Sequence, residues 1–185
     1  MTGQRADARR NHARILAVAE AEVAARGAEA SLEHIARTAG VGSATVRRHF
    51  PNRRALLEAV FRERIEALHG RARTLAEAED SRAALLTWLH ELIAYAVSAR
   101  GFADTLTYEP PSDTPGGCAA TLEAACAPLL RRAQRDGAVA TGVTVHDLVT
   151  LGVGIALATE HHGDPEAQAE RLFGVVVEGV SPGGG

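Results

Sequence analysis

The chain is 185 residues long, too long for one small module and too short for two full domains, so one compact body with at most a small appendage is expected. With 46% apolar and 23% charged residues it reads as a soluble globule, and its longest strongly apolar uncharged segment, Leu148 to Thr159, falls short of the roughly 18 residues that span a bilayer. The polar opening MTGQRADARRN has no apolar h-region, so no secretory signal, no membrane partner and a cytoplasmic location are expected. A net charge of −3 speaks by itself against a nucleic-acid partner, while 4% aromatics and abundant Ala favour helix over sheet.

Ile15, Leu16, Ala19 and Val23 recur at helical spacing and predict a helix over 9–26, stopped by Gly27. Ser31 can cap a short helix over 32–39, with Glu33 in its first turn, where the positive helix end favours an acid. Gly40-Val41-Gly42 breaks it. A second short helix over 43–50 ends at Pro51, because the residue before proline is pushed out of helical geometry. The long helix that follows places Leu57, Val60, Phe61, Ile65 and Leu68 on one stripe and fades into a linker or bend over 71–80. Residues 82–99 are apolar on two faces, with Leu85, Leu89, Leu92 and Val97 beside Trp88, Ile93 and Tyr95, which predicts a central helix. A short helical stretch over 102–106 and a Pro- and Gly-rich loop over 109–117 come next. Helices over 118–135, over 145–161 from a Thr144 cap, and over 165–180 behind Asp164-Pro165 bring the total to about nine, with residues 181–185 expected to fray. The fold class is therefore all-α.

Two helices of about two turns joined by a glycine-containing turn form a helix-turn-helix, whose second helix can enter a major groove roughly 12 Å wide. Ile35, Ala36, Ala39, Val41, Val46 and Phe50 make its apolar set. The two alanines let the helices approach, Val41 plugs the turn, and Val46 and Phe50 anchor the second helix at i and i+4. That leaves Ser43, Ala44, Thr45, Arg47, Arg48 and His49 facing outward. The charge layout fits: residues 1–60 hold ten Arg against six acids, residues 61–185 ten against seventeen. There is no Lys, so every fixed positive charge is a guanidinium, able to fork onto phosphates and contact guanine. GC-rich coding produces the same Arg and Ala bias, so the missing Lys decides nothing alone.

The run Ile15-Leu16, Ala19, Gly27, Ser31-Leu32-Glu33-His34-Ile35-Ala36, Ala39-Gly40-Val41-Gly42, Thr45-Val46, His49-Phe50-Pro51-Asn52-Arg53 and Leu56-Leu57-Glu58-Ala59-Val60 resembles the tetracycline-repressor (TetR/AcrR) family over residues 12–61. That resemblance implies an N-terminal three-helix DNA-binding domain, residues 1–53, and a helical C-terminal domain, residues 54–185, that binds a small molecule and forms a homodimer. It also implies DNA-contacting positions at Thr45, Arg48 and His49, with Arg53 a basic residue at the start of the fourth helix, and repression as the default mode. Three departures from the family pattern involve four positions. Arg47 stands where a Tyr is usual, which keeps phosphate binding and steepens its salt dependence. Glu20 and Glu22 stand where the first helix is commonly apolar, and either one, if turned inward, needs a partner. Gly42 replaces a usual Ser cap, a change worth a few tenths of a kcal/mol.

Trp88, Leu92 and Tyr95 share a face at i, i+4 and i+7, and Phe102, Tyr108 and Cys126 come from segments expected nearby. Four of the chain's seven aromatics, Trp88 to Tyr108, fall within this short stretch. Such a group forms either a hydrophobic ligand pocket, with His90, Glu91 and Arg100 as candidate polar groups, or simply core. Leu148, Gly152, Ile155 and Thr159 on one helix, and Leu172, Phe173, Val176, Val177 and Val180 on the next, make the candidate dimer stripe. No metal or cofactor is expected: His161 and His162 are adjacent and do not share a helix face. Cys118 and Cys126 on one helix are about 12 Å apart in rise, too far for a disulfide. An enzyme is not expected either, for want of a nucleophile and base at useful spacing or a glycine-rich phosphate loop. The rival reading is a helical dimer that binds a ligand or partner but has lost its operator.

Overall fold

The computed structural model describes residues 2–99, 102–103 and 118–180, with backbone alone at 2–9, 28 and 180. Among these there are eight α-helices and no strand: α1 (Thr2–Arg26), α2 (Leu32–Thr38), α3 (Ser43–His49), α4 (Arg53–Leu75), α5 (Ser81–Ser98), α6 (Cys118–Arg135), α7 (Val145–Thr159) and α8 (Pro165–Val180). Of the helical stretch expected over 102–106, Phe102 and Ala103 are helical. The rest of it, the loop 109–117 and the tail 181–185 lie outside the described residues.

Short polar side chains start most of these helices by accepting an otherwise orphaned amide hydrogen. Ser31 accepts from His34 N at 3.3 Å, Asn52 from Ala55 N at 2.8 Å, Asp80 from Ala83 N at 2.9 Å and Asp164 from Ala167 N at 3.0 Å. Thr144 and Asp147 form a reciprocal capping box on α7. Two ends differ from the sequence-based expectation. α4 continues through Arg71 and Arg73 to Leu75, and the chain bends only at 76–80. Buried Leu68 and Ala72 extend its stripe there, and an alanine carries little hydropathic signal. α7 stops at Thr159, so His161 and His162 lie in the following turn instead of on the helix.

Two hydrophobic cores organise the chain. The smaller holds Ile15, Ala19, Ile35, Ala36, Ala39, Val46, Phe50 and Leu56. The larger runs from Leu57, Phe61, Ile65 and Leu68 through α5 and α6 to α7 and α8. α4 belongs to both, since consecutive residues Leu56 and Leu57 serve different cores and Val60 touches each. α5, apolar on two faces, packs against α4, α6, α7 and α8 and is the centre of the larger body. Trp88 is fully buried and its indole Nε1 donates to Leu68 O at 2.9 Å, joining α5 to α4. At the far end Arg132 donates to Ala76 O at 2.7 Å and Glu79 O at 3.0 Å, so the bend after α4 is held by α6.

Candidate nucleic-acid interface

α2 ends in a paired-carbonyl turn. Gly40 has φ +63°, a left-handed conformation that a side chain disfavours, and its amide donates to Arg37 O at 3.1 Å while Val41 N donates to Ala36 O at 3.0 Å. Val41 then packs against the smaller core, as that motif requires of the residue after the glycine. The chain re-enters a helix at Ser43 with Gly42 extended, φ −69°, and no side-chain cap. Val46 and Phe50 are buried and Ile35 beneath them is fully enclosed, so α3 lies fixed across α2.

That anchoring decides what α3 shows to solvent. Ser43, Ala44, Arg47 and Arg48 are exposed, and Thr45 and His49 are half-buried. Neither Arg47 nor Arg48 has a hydrogen-bond or ion-pair partner among the described residues, so two guanidinium groups stand open at consecutive positions of α3. Arg53, at the first turn of α4, is 41% exposed, and its nearest acid, Glu29, lies 3.6 Å from Nη2. Its Nε and Nη2 are occluded yet donate no hydrogen bond. A donor in that state gains from an acceptor brought in from outside. Burial, then His12 and Arg48, lowers the His49 pKa below the ordinary histidine value of 6.5.

The two acids of the first helix have different fates. Glu20 faces solvent. Glu22 is buried but takes three partners: Arg26 Nε at 3.3 Å, His34 Nε2 at 3.5 Å and the Ser31 amide at 3.4 Å. The inward acid therefore ties α1 to the start of α2, and the cost of its burial is offset by charged and hydrogen-bonded contacts. Arg26 stands four residues on in α1, but His34 and Ser31 belong to the next helix and its cap, which is why the spacing within α1 does not reveal them.

The aromatic group of the C-terminal body is packed. Trp88, Leu92, Phe102 and Cys126 are fully enclosed in the larger core. Tyr95 is half-buried, edge-on to Phe102 with ring centroids 4.6 Å apart and to Phe61 at 6.3 Å, and the Arg64 guanidinium lies 5.1 Å from its ring centre. Burial pushes the Tyr95 hydroxyl and the Cys126 thiol each up to about 12, so both stay protonated. Tyr108 and Arg100 lie outside the described residues. His90 and Glu91 are engaged elsewhere, with Glu170 at 2.5 Å and Arg71 at 2.9 Å. A separate small apolar cleft of about 30 Å³ lies between α5, α7 and α8, lined by Leu86, Leu89, Ile93, Leu151, Phe173 and Val176.

Of the stripe on α7, Leu148, Gly152, Ile155 and Thr159 are already buried within the chain. Thr159 donates to Ile155 O at 2.9 Å, and a methyl added at Gly152 would meet Ile93 Cγ1 at 3.3 Å, so this glycine serves the approach of α7 to α5. On α8, Phe173 is buried and Leu172, Val176 and Val177 are half-buried, while the side chain of Val180 lies outside the described residues. The apolar surface these helices leave open is the neighbouring stripe: Leu151, 38% exposed, with Gly154 and Ala158 on α7, and Val175, 57% exposed, with Gly174 and Gly179 on α8.

Comparison with known proteins agrees with this geometry. Residues 15–60 match the model of bacterial regulatory proteins, tetR family, and residues 80–182 match that of the SbtR-like transcriptional regulator C-terminal domain. A search of curated proteins finds no match. Among solved structures, the TetR transcriptional regulator SCO0520 of Streptomyces coelicolor is 34% identical, over 94% of this chain and 99% of its own, with a TM-score of 0.60. A TetR regulatory protein of Mycobacterium vanbaalenii is also 34% identical, over 97% and 99%, with a TM-score of 0.53. RolR, solved with resorcinol, shares the fold at 18% identity over 94% and 89%, with a TM-score of 0.63. With a glycine-hinged helix pair, an open guanidinium face and a helical body matched along most of its length, the chain belongs to the TetR family and is a DNA-binding transcriptional regulator.

Proposed function

We propose that this regulator is a repressor that binds a short palindromic operator as a homodimer and leaves it when a small hydrophobic ligand enters the C-terminal body. Residues 1–53 act as the DNA-binding domain and residues 54–185 carry the ligand and dimer functions. The observation that carries the reading is the pair of unpartnered guanidinium groups, Arg47 and Arg48, on the outer face of a recognition helix anchored by Val46 and Phe50. Thr45 and Arg47 are assigned to base edges, with Ser43 and Ala44 at the groove-entering end. Arg48, His49 and Arg53 are assigned to phosphates. Two such helices enter successive major grooves about 34–36 Å apart.

The dimer is proposed to form on α7 and α8, whose outward residues Leu151 and Val175 are the exposed large hydrophobics among the described residues. The half-buried Leu172, Val176 and Val177 flank them. The ligand site is proposed at Trp88, Leu92, Tyr95, Phe102 and Cys126, with Tyr108 from the adjoining segment. Support comes from how this group meets α4: the Trp88 indole bonds to Leu68 O, and Tyr95 rests on Phe61 and Arg64. A molecule that displaces these rings acts directly on the helix that begins at Arg53. It shifts the equilibrium by no more than its preference for the DNA-released conformation.

A gel-shift assay with the duplex flanking the chain's own gene tests the reading. A specific shift that is released by a hydrophobic ligand, with matching quenching of Trp88 fluorescence, is expected. Release that persists unchanged through Trp88, Tyr95 and Phe102 substitutions would move the ligand elsewhere, and the absence of any shift would favour a ligand-binding dimer without an operator.

A further inference from the structure

We propose that His12, on α1, belongs to the DNA-binding surface as the partner of His49, and that this imidazole pair takes up a proton when backbone phosphate reaches it, so that DNA binding strengthens as pH falls. The inference rests on the DNA-binding reading and adds to it a residue outside the helix-turn-helix and a proton.

The placement follows from the helix repeat. His12, Ile15 and Ala19 stand at i, i+3 and i+7 on α1. Ile15 and Ala19 are fully enclosed in the smaller core, whereas His12 is exposed, so the inward stripe of α1 emerges at the surface at His12. It emerges against the end of the recognition helix. The His12 ring centre lies 5.4 Å from that of His49 and 5.3 Å from that of Phe50, and the His49 and Phe50 centres are 6.3 Å apart. Three rings thus join α1 to the last turn of α3 beside Arg48.

What surrounds the pair is unlike the setting of three other histidines in the chain. His34 faces Glu22, His90 faces Glu170 and His146 faces Glu123. Neither His12 nor His49 has a carboxylate partner among the described residues. The charged groups acting on His49 are His12 from α1 and Arg48 from its own helix, both of which disfavour its cationic form, as does burial. The neighbouring Arg14 of α1 is turned to Asn11, at 3.2 Å. Among the described residues no anion completes this cluster, and on the proposed face the anion that does so is DNA phosphate.

The sign follows from linkage. A pKa held down in the free protein and raised by a bound phosphate means proton uptake on binding, so affinity rises as pH falls through the window between the free and bound values. The limit is about tenfold per pH unit for each proton taken up.

The test is fluorescence anisotropy of the full chain with the labelled flanking duplex from pH 6.0 to 8.0 at fixed ionic strength. Wild type is expected to bind several-fold more tightly at pH 6.0 than at 8.0. His12→Phe keeps the three-ring contact and removes the ionisable group. It should bind within about threefold of wild type at pH 8.0 and show half the pH slope or less. His12→Gln should show the same flattening and replaces the Phe variant if that one misfolds by circular dichroism. The other histidines are the same in all three proteins, so the difference in slope reports on His12. A flat wild-type profile, or variants that bind DNA with the wild-type slope, would overturn the inference. Failure of every protein to bind at any pH would instead overturn the DNA-binding reading and the inference with it.

Discussion

The small core around Ile35 and the large core around Trp88 use the same helices and apolar residues but leave different surfaces. Around Ile35 the anchoring side chains are few, and the residues between them, Arg47 and Arg48 above all, point away without partners among the described residues. Around Trp88 the long and aromatic side chains turn inward, and the polar groups on the outside pair with one another, as Arg71 does with Glu91 and His90 with Glu170. One region is built to present unsatisfied donors, the other to enclose apolar volume. α4 is where they meet, because Leu56 and Leu57 enter different cores one residue apart.

Substitutions that separate the two regions should therefore separate stability from DNA binding. The largest effect is expected at Trp88→Ala, which empties a fully buried site and removes the bond to Leu68 O. Loss of about 3–5 kcal/mol is expected, read as a fall in Tm on the order of 10 °C by thermal denaturation. Arg47→Ala and Arg48→Ala should leave Tm within about 2 °C, since exposed residues without partners contribute little to stability. Each should weaken operator binding by about 1–3 kcal/mol where it reads a base, or lower the salt slope by about one where it meets a phosphate, measured by anisotropy across salt. The dimer comparison is sharper. Leu151→Glu with Val175→Glu should give monomers by light scattering and unchanged helicity, whereas Ile155→Glu should unfold the chain. A dimer that survives the first pair would place the interface elsewhere.

Smaller effects test the ends of the helices. Asn52→Ala removes the cap of α4 at the junction of the two cores and should cost about 0.5–2 kcal/mol in chemical denaturation. The Thr144 hydroxyl, and then its amide, hold the Asp147 carboxyl below its ordinary value of 3.8. A carboxyl with a lowered folded-state pKa adds stability above its unfolded value and loses it as pH falls through the folded one. The α7 capping box should therefore weaken in acid below about pH 4, and Thr144→Val should reduce that acid sensitivity in circular dichroism.

How much of this could be read from the chain differs between the regions for the same reason. The helix-turn-helix is local: Gly40 marks a left-handed turn, Val46 and Phe50 mark one face four residues apart, and everything outward follows from them. The larger body is not. On α7, Leu148 and Ile155 form one apolar stripe and Leu151, Gly154 and Ala158 form the next, and nothing within the helix says which one meets α5. The helical period is equally good for both, so the stripe that reads as a dimer surface is the one folded inward. The His34 and Ser31 contacts of Glu22 and the contact of His12 with His49 depend likewise on a second element. A signal for His12 was present all the same, since it continues the Ile15 and Ala19 spacing toward the surface.

The most direct test of the central claim, that the open arginine face of α3 reads DNA sequence, is a paired titration at ~150 mM salt, near physiological ionic strength. The purified chain is titrated against the palindromic duplex from beside its gene and against a scrambled duplex of the same length and composition. A preference of about a thousandfold or more for the palindrome is predicted, falling sharply in Arg47→Ala. Equal binding of the two duplexes, or a preference untouched by Arg47→Ala and Arg48→Ala alike, would contradict it.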